Sequence, residues 1–169
     1  MRKTGPLQLA SWPPGRACSC GTPECDTKHW GWSFVEDDPE AFLETIEGIA
    51  NAQRSEERKK YFLREVLILL ERAECGKCTV VTVEPDGSRV GDVDRMDYGE
   101  SIILELRCHT ALDENPETVL RIYFTEPTQE LDLVAVSAER KDRTPGGKLQ
   151  QDDHWRSAEM KVRRWWMDR

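Results

Sequence analysis

Val119-Leu120-Arg121-Ile122-Tyr123-Phe124 is the stretch that decides the fold. β-Branched and aromatic residues dominate it, so it reads as a strand. An apolar strand ending in Leu106-Arg107 precedes it, and a third runs from Leu131 to Ala138. That third strand leads directly into Glu139-Arg140-Lys141-Asp142-Arg143-Thr144-Pro145, and a basic, tryptophan-rich helix closes the chain. Strands of this kind can hold several cations on one open sheet face. Fixed guanidinium groups there would suit an RNA backbone and phosphoryl chemistry.

Working outward, three strands are expected at 100–109, 118–126 and 130–138, with Pro127-Thr128-Gln129 as the turn between the last two. The closing helix is expected over roughly Asp152 to Met167. Upstream, the alternation in His29-Trp30-Gly31-Trp32-Ser33-Phe34-Val35 predicts a first strand. Asp37 or Asp38 is placed to cap a helix with Pro39 in its first turn, and Phe42, Leu43, Ile46, Ile49 and Ala50 recur at helical spacing. Ser55 opens a second helix, Glu56 to about Glu74, with Phe62, Val66, Leu69, Leu70 and Ala73 as its stripe and Gly76 as terminator. Cys78 to Glu84 is strand-like, Pro85-Asp86-Gly87-Ser88 is a turn, and 91–99 reads as an acidic loop. Residues 1–29 form an irregular arm rich in Cys and Pro, and 30–169 a single domain. The order predicts an α+β fold, with two N-terminal helices packed on one face of a mainly antiparallel sheet and a C-terminal helix.

The chain has 169 residues and a formal net charge of -8. Its distribution decides more than its sum. Residues 1–35 carry four cations and two anions, 36–138 eleven cations and 24 anions, and 139–169 nine cations and six anions. An acidic body excludes general nucleic-acid binding, which phosphate contacts drive, so any RNA-binding surface must be small and local. Alternatively, the basic helix meets an acidic protein. No apolar run approaches a membrane span, and no apolar stretch follows Met1-Arg2-Lys3, so a cytoplasmic location is expected.

From Trp30 onward the chain resembles the RelE/HigB superfamily of toxin–antitoxin toxins, especially the HigB-like, phage-derived branch. Trp32-Ser33-Phe34-Val35-Glu36-Asp37 followed by Phe42-Leu43 looks like that branch's opening strand and first helix. Leu104-Glu105-Leu106-Arg107 looks like its "ELR" strand, and Leu120-Arg121-Ile122-Tyr123-Phe124 like its "YRI-aromatic" strand. Val134-Ala135-Val136 followed by Arg140-Lys141-Asp142-Arg143-Thr144-Pro145 is similar to its apolar strand and basic turn. The arm lies outside the resemblance, as does an insertion near 75–97. The resemblance implies a RelE-like, microbial-RNase-like fold and an mRNA endoribonuclease (mRNA interferase) that inhibits translation and growth. It further implies messenger RNA as substrate, cleaved on the ribosome in active members, and a cognate antitoxin of helix-turn-helix type.

Metal-independent cleavage of this kind proceeds by attack of a 2′-hydroxyl on the adjacent phosphate. It requires a base, an acid for the leaving oxygen, and cations for the charge that develops. Arg121, matching the family's functional strand arginine, is the expected phosphate ligand, with Lys141 and Arg140 adding charge stabilisation. His154 is the candidate proton carrier. Arg107 and Arg143 are expected to bind RNA. Each has a plainer reading: a strand arginine paired with a carboxylate, a solvated charged turn, a surface histidine. The acidic chain, Glu105 within the "ELR" strand and the absence of a tyrosine after Lys141 depart from the strongly basic members of the family.

Cys18, Cys20, Cys25, Cys75 and Cys78 are candidate ligands for a structural zinc that would tie the arm to the end of the second helix. Free thiols and a disulfide are the other readings, and Cys108 reads as sheet filling. Trp155, Met160 and one of Trp165 and Trp166 are expected to dock the final helix, although an exposed tryptophan flanked by Arg163 and Arg164 would suit a binding anchor. A non-catalytic protein-interaction module on the same fold is thus the alternative to the nuclease.

Overall fold

The computed structural model describes residues 31–35, 39–95, 103–112, 115–126, 133–142 and 146–169. The architecture is α+β, with three helices and a mixed five-stranded sheet. The elements are β1 (Trp32–Phe34), α1 (Glu40–Asn51), α2 (Glu56–Glu74), β2 (Thr82–Val83), β3 (Arg89–Val90), β4 (Val93–Arg95), β5 (Leu104–Leu112), β6 (Asn115–Thr125), β7 (Leu133–Asp142) and α3 (Gly146–Met167). The main sheet runs β1-β7-β6-β5-β4. Its pairings are antiparallel except β1 with β7, which is parallel.

Alternation along the long strands sends side chains to two different cores. Leu104, Leu106, Cys108, Leu120, Ile122 and Phe124 meet the stripe of α1 and α2, including Ile46, Ile49, Phe62, Val66 and Leu69. Burying each of these large side chains stabilises by roughly 1.5–3 kcal/mol. On the opposite side, Ile103, Tyr123 and Val136 meet Ala158 and Val162 of α3, and Val134 meets Trp165 and Trp166. Helix α2 begins where expected: the Ser55 side chain accepts from the Arg58 N–H at 3.2 Å, and Gly76 leaves the helix at φ 65.

Several boundaries move. Residues 93–95, expected in a loop, form edge strand β4 against Leu104–Leu106. Asp92, just before it, accepts from both terminal nitrogens of Arg72 at 3.2 and 2.7 Å and from the Thr79 N–H and hydroxyl at 2.8 and 2.9 Å. This anchors the new strand to the end of α2. Strand β7 continues through Asp142 rather than turning at Glu139. Helix α3 starts at Gly146, where a pair of glycines carries no helical signal. Gly147 is there for space: a Cβ on it would lie 1.8 Å from the Asp142 carbonyl oxygen. Trp165 and Trp166 are buried, Trp155 is half-buried, and Met160 remains exposed.

One irregularity decides which side chains share a face near the end of β7. Tyr123 pairs with Ser137 but Phe124 pairs with Ala135, so β7 carries one extra residue at this point. Leu133 and Ala138 therefore contribute to the same core despite their odd separation. From Glu139 onward, odd-numbered residues of β7 lie on the α3 side of the sheet.

Candidate functional site

Cross-strand partners share a sheet face, and the register assembles charged side chains on the α3 side. Arg107 pairs with Arg121, and Arg121 with Glu139; Glu105 pairs with Tyr123; Val119 pairs with Lys141. Asp94 of β4 pairs with Glu105. Helix α3 brings Gln151 and His154 over this group. The charges therefore converge because four strands, β4 to β7, place them at neighbouring positions, although nothing in their separate sequence contexts marks them as a set.

At the centre, Arg121 Nε lies 2.9 Å from Glu105 Oε1, with the two side chains 6% and 1% exposed. Arg121 Nη1 also donates to the carbonyls of Cys108 and Leu120, at 3.1 and 2.9 Å. The guanidinium is thus held beneath packed side chains. The other Glu105 oxygen, Oε2, accepts a hydrogen bond from Gln151 Nε2, and the Lys141 ammonium donates to Gln151 Oε1. Arg121, Glu105, Gln151 and Lys141 form one continuous polar chain from the sheet to α3.

Lys141 and Arg107 lie at the half-buried rim. Burial lowers the proton affinity of Lys141; the Glu105 charge works against this, while Arg121 and Arg107 push it lower still. Burial also lowers that of Arg107, reinforced by Arg121. Arg107 Nη1 donates to the Arg89 carbonyl at 3.3 Å, and Arg89 Nη2 contacts both Asp94 oxygens at 2.8 and 2.7 Å. Among the described side chains, Arg89, Arg107, Arg121 and Lys141 here meet Asp94, Glu105 and Glu139. The balance is positive in a chain whose total is -8. Tyr123 is fully buried, and its phenol is held protonated far above its ordinary range by burial first and the Glu105 charge second.

His154 stands edge-on to Tyr123, with ring centroids 6.4 Å apart, and its Nε2 is 4.0 Å from Glu139 Oε2. With Glu139, Arg140, Gln150, Glu44, Thr45, Gly48 and Ile49 it lines an open cavity of about 440 Å³. Arg121 and Lys141 line neither this cavity nor the 150 Å³ one beside it along β7.

The expected site residues therefore separate. Arg121, Lys141 and Arg107 come together, and His154 sits near them beside Glu139. Arg140 pairs with Leu120 and lies on the opposite side of the sheet. Arg143 lies outside the described residues, as do Cys18, Cys20 and Cys25. Cys75 and Cys78 are half-buried, and the Cys78 thiol donates to the Leu69 carbonyl at 3.8 Å. Among the described residues, no three His, Cys, Asp or Glu side chains gather to hold a metal ion. No helix of the described residues is long and apolar enough to cross a membrane.

Sequence reasoning missed Glu105 as the hub and Gln151 as the link. Glu105 was legible: it alternates with Leu104 and Leu106 and therefore faces the same way as Arg107. Gln151 fell just before the expected start of the last helix. Searches against family models, curated proteins and solved structures find no match to this chain.

Proposed function

We propose that this chain is the toxin of a type II toxin–antitoxin pair, an RNA-directed protein of RelE/HigB-like fold that cleaves messenger RNA without a catalytic metal. One observation carries the reading: Arg107, Arg121 and Lys141 lie together on one side of the sheet in an otherwise acidic chain. Burial first, then neighbouring cations, depress the proton affinity of Lys141 and of Arg107, and a bound anion would relieve that cost. A phosphodiester at the rim would meet Lys141 and Arg107 directly, with Arg121 beneath as a fixed source of positive potential. The 2′-oxygen would bond to phosphorus as the bond to the 5′-oxygen breaks, leaving a 2′,3′-cyclic phosphate and a 5′-hydroxyl. The ammonium charge stabilises the oxygens of the transition state. His154, beside Glu139, is the group suited to carry the proton between the two oxygens.

The test is expression in a bacterial host. Wild type should arrest growth, and Lys141→Met with Arg107→Ala should relieve the arrest while keeping the fold. Harmless wild-type expression at a normal protein level refutes the toxin reading. Co-expression with a helix-turn-helix antitoxin encoded beside it should restore growth.

A second reading is favoured by a specific observation: α3 lies across the charged side, and Arg121 is only 5% exposed. This suits a protein-interaction module in which the pair stabilises the sheet. In that case the purified protein binds no RNA and the double variant behaves as wild type.

A further inference from the structure

The side-chain amide of Gln151 touches both halves of the charged set. Its Nε2 donates to Glu105, and its Oε1 accepts from Lys141. A carboxylate offers only acceptors and an ammonium only donors, so both neighbours demand the same orientation of the amide. Glu105 is in turn fixed by Arg121 at 2.9 Å. The amide dipole is therefore locked, with its oxygen directed at Lys141. Gln151 Oε1 accepts from the Lys141 ammonium, which the Glu105 charge also attracts while Arg121 and Arg107 repel it.

We infer that Gln151 is a positioning residue: it holds the Lys141 ammonium at the rim, beside Arg107, where a phosphate oxygen binds. The inference rests on the RNA-directed reading for its purpose, although the positioning itself is independent of it. The helix thus supplies a part of the site as well as its cover. A ligand phosphate would take its contact from Lys141 in the presence of the amide, because an ammonium has three donors and Gln151 uses one.

The position of the residue explains how the link is made. Gly147 lets the first turn of α3 approach the end of β7 within contact of the Asp142 carbonyl. One helical turn later, at Gln151, the side chain reaches over Lys141 and down to the floor of the sheet. The same close approach places a neutral amide, not a carboxylate, against Glu105. An acid there would face a like charge, and a lysine would add to the cations already present.

The experiment uses the full chain and two substitutions, Gln151→Met and Gln151→Glu. Competitive acylation across a pH range, read at Lys141 by peptide mass spectrometry, reports the proton affinity of that amine. Gln151→Met removes an acceptor and should lower the midpoint; Gln151→Glu adds a charge and should raise it. Shifts in opposite directions would not arise from loosened packing. In parallel, anisotropy of a labelled oligoribonucleotide, blocked at the 2′-oxygens against cleavage, reports anion binding. Gln151→Met should weaken it about tenfold, and should add less than about twofold in a Lys141→Met background, because coupled residues are not additive. Unchanged labelling midpoints in both variants, or an equal loss with and without Lys141, overturns the role of Gln151. If wild type binds no oligonucleotide while the midpoints move as stated, the RNA-directed reading falls and the positioning stands.

Discussion

Replacing either partner of the Glu105–Arg121 pair tests whether the centre of the site is structural or open to ligand. The side chains are 1% and 6% exposed, so Glu105→Leu leaves a guanidinium buried without its counter-ion and Arg121→Met leaves a buried carboxylate. Breaking such a pair on one side costs about 3–5 kcal/mol. At roughly 2–4 °C per kcal/mol for a chain of this size, each single variant should melt about 6–20 °C below wild type. The double variant removes both charges and fills the space with apolar atoms, which in comparable sites is neutral or stabilising. It should return to within about 2 kcal/mol of wild type, giving a coupling energy of several kcal/mol between the two positions. Urea unfolding followed by tryptophan fluorescence measures all four proteins, and six tryptophans supply the signal. If the singles each cost less than about 1 kcal/mol and add in the double, Arg121 is solvated rather than locked. A guanidinium fixed beneath the rim would then be the wrong picture of the site. The cycle also bears on activity assays, because loss of function in an Arg121 variant by itself would report unfolding as readily as lost chemistry.

Gly147→Ala should destabilise by about 1–3 kcal/mol despite the better helix propensity of alanine, since the added Cβ meets backbone that cannot move aside; a rise in Tm would show that α3 does not approach β7 so closely. Tyr123 gives an alkaline signature. Its folded pKa is raised, so stability is complete below the unfolded value of about 10 and falls as pH rises beyond it. Lys141 has a lowered folded pKa and acts oppositely, its burial cost being relieved as it deprotonates below about pH 10.4. Tyr123→Phe should therefore flatten the loss of urea stability between about pH 9 and 11, and an unchanged alkaline slope would refute the assignment. For the cysteines, elemental analysis should find about one zinc per chain, held by Cys75 and Cys78 with two ligands drawn from Cys18, Cys20 and Cys25 of the arm; a metal-free, fully folded sample removes that proposal.

The helices and long strands were legible because their apolar residues repeat at the periods of helix and strand. Ser55 as the cap of α2 and the stripe from Phe62 to Ala73 needed no tertiary information. The elements that escaped are those whose stability comes from elsewhere. Strand β4 has an acidic, unpromising sequence and exists because Asp92 is tied to Arg72 and Thr79 and because Val93 reaches the core. The first turn of α3 starts on two glycines, which local propensity assigns to a turn, and is held by contact with β7. At the site, Arg121 and Lys141 were visible as cations on strands, but their ranking was not. Burial of Arg121 depends on Glu105 being its diagonal neighbour across β5 and β6, and strand register is a property of pairing rather than of either sequence. Arg140 and Lys141 looked equivalent for the same reason.

The extra residue in β7 is spare length: Phe124 faces Ala135 and Tyr123 faces Ser137 whether or not Val136 lies between them. Removing Val136 would restore plain alternation and leave Ile122 opposite Ala138, Leu120 opposite Arg140 and Val119 opposite Lys141. A single-codon deletion of Glu139, where the alternation is unbroken, would instead send Lys141 toward the two-helix layer and Arg140 toward Gln151. The strand tolerates a change of length at one point and exchanges an ammonium for a guanidinium three residues further on.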